Sequence, residues 1–96
     1  MRQQDRTLQQ TMTTLAPDEV LSQAKKFFAR RANIYAAFLD KEGPTYVSLR
    51  GQGGEEVVIG VRTTPDGTEV TGSTYIFDQQ VARFFSTLPP FPGVVV

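Results

Sequence analysis

Between residues 45 and 77, apolar side chains recur at every second position and glycine-rich turns interrupt them twice. That pattern suits an antiparallel sheet with one face buried. Val47 and Leu49, then Val57, Ile59 and Val61, then Val70 and Ile76 fall on alternate positions within their runs. Gly51-Gln52-Gly53-Gly54 and Pro65-Asp66-Gly67 separate the three runs, glycine because it accepts positive φ and proline because it presets the turn entry. The spacing predicts three consecutive strands over 45–50, 55–63 and 68–77. Their shared apolar face needs a cover, which a neighbouring layer of helices can provide.

Both flanks contain such a cover. Pro17 suits the first position of a helix, where its missing N–H would be unpaired anyway, and Asp18 and Glu19 favour the positive end of the helix dipole. Val20, Leu21, Ala24, Phe27 and Phe28 then form one apolar stripe, and Arg30 and Arg31 close the last turn. Lys25 and Lys26 read as the solvated flank of that stripe. After the sheet, Asp78 is the expected N-cap of a second helix with Val81, Phe84, Phe85 and Leu88 on one face, ended by Pro89-Pro90. Ile34, Tyr35, Ala36, Ala37, Phe38 and Leu39 are apolar on both parities, which predicts a strand covered on both faces or one facing a partner. Before the first helix, the Gln- and Thr-rich segment places Leu8 and Met12 at even spacing, the pattern either of a thin edge strand or of a polar tail.

The fold expected is α+β: an antiparallel meander of four to five strands with two helices packed on one face. Residues 1–14 are a polar segment or edge strand, 15–88 one domain, and 89–96 an apolar tail. The expected core is Val20, Leu21, Ala24, Phe27, Phe28, Val47, Leu49, Val57, Ile59, Val61, Val70, Ile76, Val81, Phe84, Phe85 and Leu88.

A strand-like segment running into Ala16-Pro17-Asp18-Glu19-Val20, then a meander and a closing helix, resembles a miniature START/polyketide-cyclase-like (helix-grip) domain. In that family a similar helix start follows the first strand, and a long C-terminal helix grips the sheet over a ligand cavity. The resemblance therefore implies a carrier of small hydrophobic ligands. The final helix here is only about three turns long, and several of the family's elements have no counterpart. A ligand pocket needs ~300 Å³ or more. Emptying that space would forfeit the packing of several Phe or Leu side chains at ~2–5 kcal/mol each. Set against a total stability of ~5–15 kcal/mol, this favours a filled core.

The residue inventory narrows the chemistry. There is no Cys and no His, which removes disulfides, thiolate chemistry, the commonest general base and the commonest metal ligand. Ser22, Ser48, Ser73 and Ser86 thus lack an activating imidazole. Glu55 and Glu56 are strand neighbours that point to opposite faces and cannot act as an acid/base pair. The Gly51–Gly54 run looks like a phosphate cradle, but a strand starting with two glutamates follows it instead of a helix N-terminus. No enzymatic activity, no cofactor and no metal is expected. The N-terminus lacks the apolar run of a secretory signal, and no stretch approaches the ~20 apolar residues of a membrane span, so a cytoplasmic protein is expected.

The outward parity of the sheet carries Tyr46, Ser48 and Arg50, then Glu56, Val58, Gly60 and Arg62, then Thr71, Ser73 and Tyr75. Two tyrosines and two arginines on an open face suit base stacking by a single-stranded nucleic acid. They suit protein docking equally, since Tyr and Arg are common interface anchors. An ordinary amphipathic surface has the same composition. Ten Lys+Arg against ten Asp+Glu provide no net field for phosphate, which disfavours nucleic acid. The expected function is that of an accessory or adaptor subunit of a larger protein assembly, compatible with a peripheral position on a membrane-embedded host. The candidate partner-binding residues are Tyr46, Arg50, Val58, Arg62 and Tyr75 on the sheet, with Phe91, Val94, Val95 and Val96 in the tail.

Overall fold

The computed structural model describes residues 7–31 and 36–90. Its chain order is β1 (Thr7–Thr13), α1 (Pro17–Lys26), β2 (Ala37–Gly43), β3 (Tyr46–Gly51), β4 (Glu56–Thr64), β5 (Gly67–Thr74) and α2 (Asp78–Ser86). All five strands form one antiparallel sheet in the order β1-β5-β4-β3-β2. It is therefore not a plain meander. Strands β2 to β5 are laid down sequentially, but β1 closes on β5, at the edge opposite β2. The α1 segment carries the chain from one edge to the other across the sheet face. This order leaves the Gln- and Thr-rich segment as an edge strand, where its thin apolar pattern is tolerable.

Pro17 begins α1, and Asp18 and Glu19 lie in its first turn. The helix continues into a π-helical turn over Phe27–Arg31. Val20, Ala24 and Phe28 are fully buried. α1 lies over β3 and β4, whereas α2 lies over β1 and β5. Val47, Leu49, Val57, Ile59 and Val70 supply the sheet's side of the core and are also fully buried.

Three phenylalanines join the two helices. The rings of Phe27 and Phe28 meet edge to face at 5.1 Å, and Phe84 of α2 lies 5.5 Å from the first and 5.9 Å from the second. They fill the space between helices and sheet. Phe85 packs against this core only partly buried. Gly72 on β5 allows α2 its close approach: a Cβ there would lie 2.5 Å from Val81 Cγ1. The β4–β5 hairpin turns through Pro65-Asp66, and Gly67 takes φ +142°, which favours glycine.

Several expectations need correction. The third predicted strand ends at Thr74 rather than at residue 77. Thr74 Oγ1 accepts a hydrogen bond from the Phe77 N–H at 3.2 Å, and this turn reverses the inward parity. Ile76, expected in the core, is 63% exposed, and Phe77 is buried in its place. Phe77, not Asp78, holds the N-cap position of α2, with no side-chain capping bond; Asp78 is the first helical residue. Leu88 is buried as expected, but it follows the helix rather than belonging to it.

Residues 34–39 were expected to form a strand covered on both faces or one facing a partner; the first alternative does not hold, since β2 is an edge strand of the described sheet. Ala37 is buried, while Phe38 and Leu39 are both exposed and the register shifts between Leu39 and Lys41. Ile34 and Tyr35 lie outside the described residues. Among the described residues no helix is long and apolar enough to cross a membrane.

Candidate docking face

Both helices lie on one side of the sheet, and among the described residues no layer covers the other face. Register places its side chains in cross-strand rows. One row runs Leu8, Ser73, Val58, Ser48, Lys41 from edge to edge, and the next runs Gln10, Thr71, Gly60, Tyr46, Gly43. Val58 is thus at the centre, half-buried between two serines. The tyrosine ring leans over Gly43, where a Cβ would come within 2.5 Å of Tyr46 Cε1. Leu8, Phe38, Tyr46 and Tyr75 are the exposed large side chains of this face and its margin. Ser48 is on the outward parity but buried, so the face is flatter there than the pattern suggests.

The two arginines are both held by carboxylates. Arg62 Nη2 and Nε each approach Glu69 Oε1 at 2.8 Å, and Gln10 donates its amide N–H to the other oxygen of Glu69. The hydrogen bond and the charge of Glu69 together raise the Arg62 pKa above its ordinary value. At the opposite end, Arg50 Nη2 lies 3.3 Å from Asp40 and 3.9 Å from Glu56, and Nη1 donates to the Gly54 carbonyl at 3.0 Å. Ser48 Oγ donates to Glu56 Oε2 at 3.2 Å. Cross-strand pairs of this kind fix the orientation of side chains that would otherwise sweep through solvent. Neutralised guanidiniums offer a phosphate little, whereas their planar faces remain available for packing.

The structure joins some of the predicted residues and separates others. Arg50 and Tyr75 line one open groove of about 500 Å³ with Gly53, Gly54, Glu55, Glu56 and Ile76. Tyr46 and Arg62 lie further along the sheet, beyond Val58. Phe91, Val94, Val95 and Val96 fall outside the described residues.

Sequence reasoning missed Leu8, Phe38 and Ile76. Leu8 was legible as one of the evenly spaced apolar residues of the N-terminal segment. Its place beside Ser73 was not, because that requires knowing that β1 closes on β5. A second open depression, about 410 Å³, lies on the helical side between Gln23, Lys26, Phe27, Arg30 and Thr87. Among the described residues no group of three or more Asp and Glu is placed to hold a metal ion. Comparison with protein-family models, with curated proteins and with solved structures finds no match to this chain.

Proposed function

We propose that this protein is a non-catalytic accessory or adaptor subunit that docks on a larger protein assembly through the open face of its sheet and its terminal segments. The observation that carries this reading is the one-sided arrangement of the layers. Both helices cover the same face, and the other face presents Leu8, Phe38, Tyr46 and Tyr75 around a central Val58. Arg50 and Arg62, paired with carboxylates, give that face polar anchors with little net charge. Apolar and aromatic patches rimmed by oriented polar groups suit a protein surface. Phosphate binding needs free cations instead. Neither a small-ligand carrier nor a nucleic-acid binder draws support from a specific feature of the face.

Native purification followed by cross-linking tests the reading. Lys41 lies at the edge of the open face, in the Val58 row, and Lys26 lies on the helical side. A partner docked on the sheet should cross-link to Lys41 and leave Lys26 unreacted. Cross-links confined to Lys26 would put the partner on the wrong layer and overturn the proposal.

A further inference from the structure

We infer that the depression on the helical side binds a small phosphate ester that also carries a hydroxyl group, such as a phosphorylated polyol. The depression has a volume of about 410 Å³ and is lined by Gln23, Lys26, Phe27, Arg30 and Thr87. One flank of α1 forms its wall. Residues 23, 26, 27 and 30 follow the three- and four-residue spacing that brings side chains together along a helix. The π-helical turn over Phe27–Arg31 ends that flank, and the C-cap of α2, Thr87, closes the far side. Phe27 is buried and packed on Phe28 and Phe84, so the floor has a fixed position.

The charges single this place out. Lys25 pairs with Glu42, Arg50 with Asp40 and Arg62 with Glu69. Lys26 and Arg30 are both exposed, and neither has a carboxylate partner among the described residues. Among those residues no carboxylate lines the depression. The acidic residues of the two helices lie in their first turns, Asp18 and Glu19 in α1 and Asp78 in α2. Cations in a last turn offset the helix dipole, but one helix end is worth only about half a charge. Two full charges beside a concave surface exceed that need.

They match a phosphate monoester, with about −1.5 to −2 charges at neutral pH, better than a single carboxylate. The arginine fork and the lysine ammonium both donate to phosphate oxygens. Thr87 sets the orientation. Its hydroxyl donates to the Phe84 carbonyl at 2.6 Å, which leaves its oxygen only as an acceptor. It also stands at the C-terminal end of α2, where the dipole disfavours an anion. The phosphate therefore lies at Lys26 and Arg30, and a hydroxyl of the ligand donates toward Thr87. This inference is independent of docking through the sheet face, because the site is on the other layer.

Titration of the full chain with glycerol 1-phosphate, followed by amide chemical shifts and calorimetry, tests it. Binding should saturate, with the shifted amides clustered at residues 23–30 and 84–88. Lys26→Gln and Arg30→Gln should each weaken it about tenfold or more, whereas Lys41→Gln, at the edge of the sheet face, should leave it unchanged. Thr87→Val should weaken glycerol phosphate about threefold or more and leave inorganic phosphate unaffected. Glycerate, which has hydroxyls but only a carboxylate, should bind about tenfold more weakly. All four substituted residues are exposed, so the variants should melt with the parent.

Shifts that never saturate, equal losses from Lys41→Gln and Arg30→Gln, or glycerate bound as tightly as glycerol phosphate would overturn the assignment. So would a Thr87→Val protein that loses inorganic phosphate as well, since that would put the anion at the wrong end of the depression.

Discussion

Gly72→Ala is the sharpest probe of how α2 meets the sheet. The added methyl would lie 2.5 Å from Val81 Cγ1, 3.3 Å from Phe85 Cζ and 3.4 Å from Ile59 Cδ1. Val81 and Ile59 are fully buried, so neither can swing into solvent; the helix must rise or the strand must bow. Overpacking of this sort costs ~1–3 kcal/mol. The substitution also stiffens the unfolded chain, which returns ~0.4–1 kcal/mol. A net loss of ~0.5–2 kcal/mol remains, and at ~4–8 °C per kcal/mol for a domain of this size the melting temperature should fall by roughly 2–16 °C.

Thermal melts followed by circular dichroism measure it. Val81→Ala removes the clashing methyl but leaves a void, so it should also destabilise. Because the two residues touch, the double variant should be less damaged than the sum of the singles, by ~0.5 kcal/mol or more. A Gly72→Ala protein that melts at or above the parent temperature, or strictly additive losses, would refute the close approach of α2.

Three further outcomes follow from burial and pairing. Ile59→Ala should cost ~2–5 kcal/mol in a denaturant melt, while Ile76→Ser should stay within about 0.5 kcal/mol, because only the first is in the core. Thr74→Val, which removes the hydroxyl that accepts the Phe77 N–H, should destabilise by ~1–3 kcal/mol, more than an isosteric change at an exposed threonine. Single-stranded DNA should bind no tighter to the parent than to Arg50→Ala/Arg62→Ala at moderate salt; a clear difference between them in fluorescence anisotropy would show that carboxylate pairing does not neutralise the face.

How far the fold was legible depended on how local each signal was. The alternation in β3 and β4, the glycine and proline turns and the helix start at Pro17 are properties of a few consecutive residues, and the elements they predict are where the pattern puts them. Ile76 was misplaced because period-two counting ran past the point where the Thr74 hydroxyl bonds the Phe77 N–H. A threonine shortly before Asp78-Gln79-Gln80 was the available hint that the strand had ended. Gly72 has inward parity, and a glycine inside a strand is a sign of close backbone approach; the element that approaches it is remote in sequence and could not be read.

The same holds for the open face. Tyr46, Arg50, Val58 and Arg62 follow from parity alone. The contribution of Leu8 depends on β1 closing against β5, a pairing set by long-range packing. Buried Thr13 and Thr68 were equally hidden, since the Pro89 and Leu15 carbonyls they bond come together only in the folded chain.

The central claim is that the uncovered sheet face is a protein-docking surface, and Val58→Glu at its centre tests it most directly. The side chain is half-buried between serines on a face that no other described element covers, so a glutamate can reach solvent in the free protein but not beneath a partner. Size-exclusion of native lysate, with melting temperature measured in parallel on the pure proteins, reads the result. The parent should elute in an assembly far larger than its own 10.6 kDa and containing other chains, Lys26→Glu on the helical side should elute with it, and Val58→Glu should elute alone at an unchanged melting temperature. A parent that elutes alone, or a folded Val58→Glu that stays in the assembly, would contradict the account.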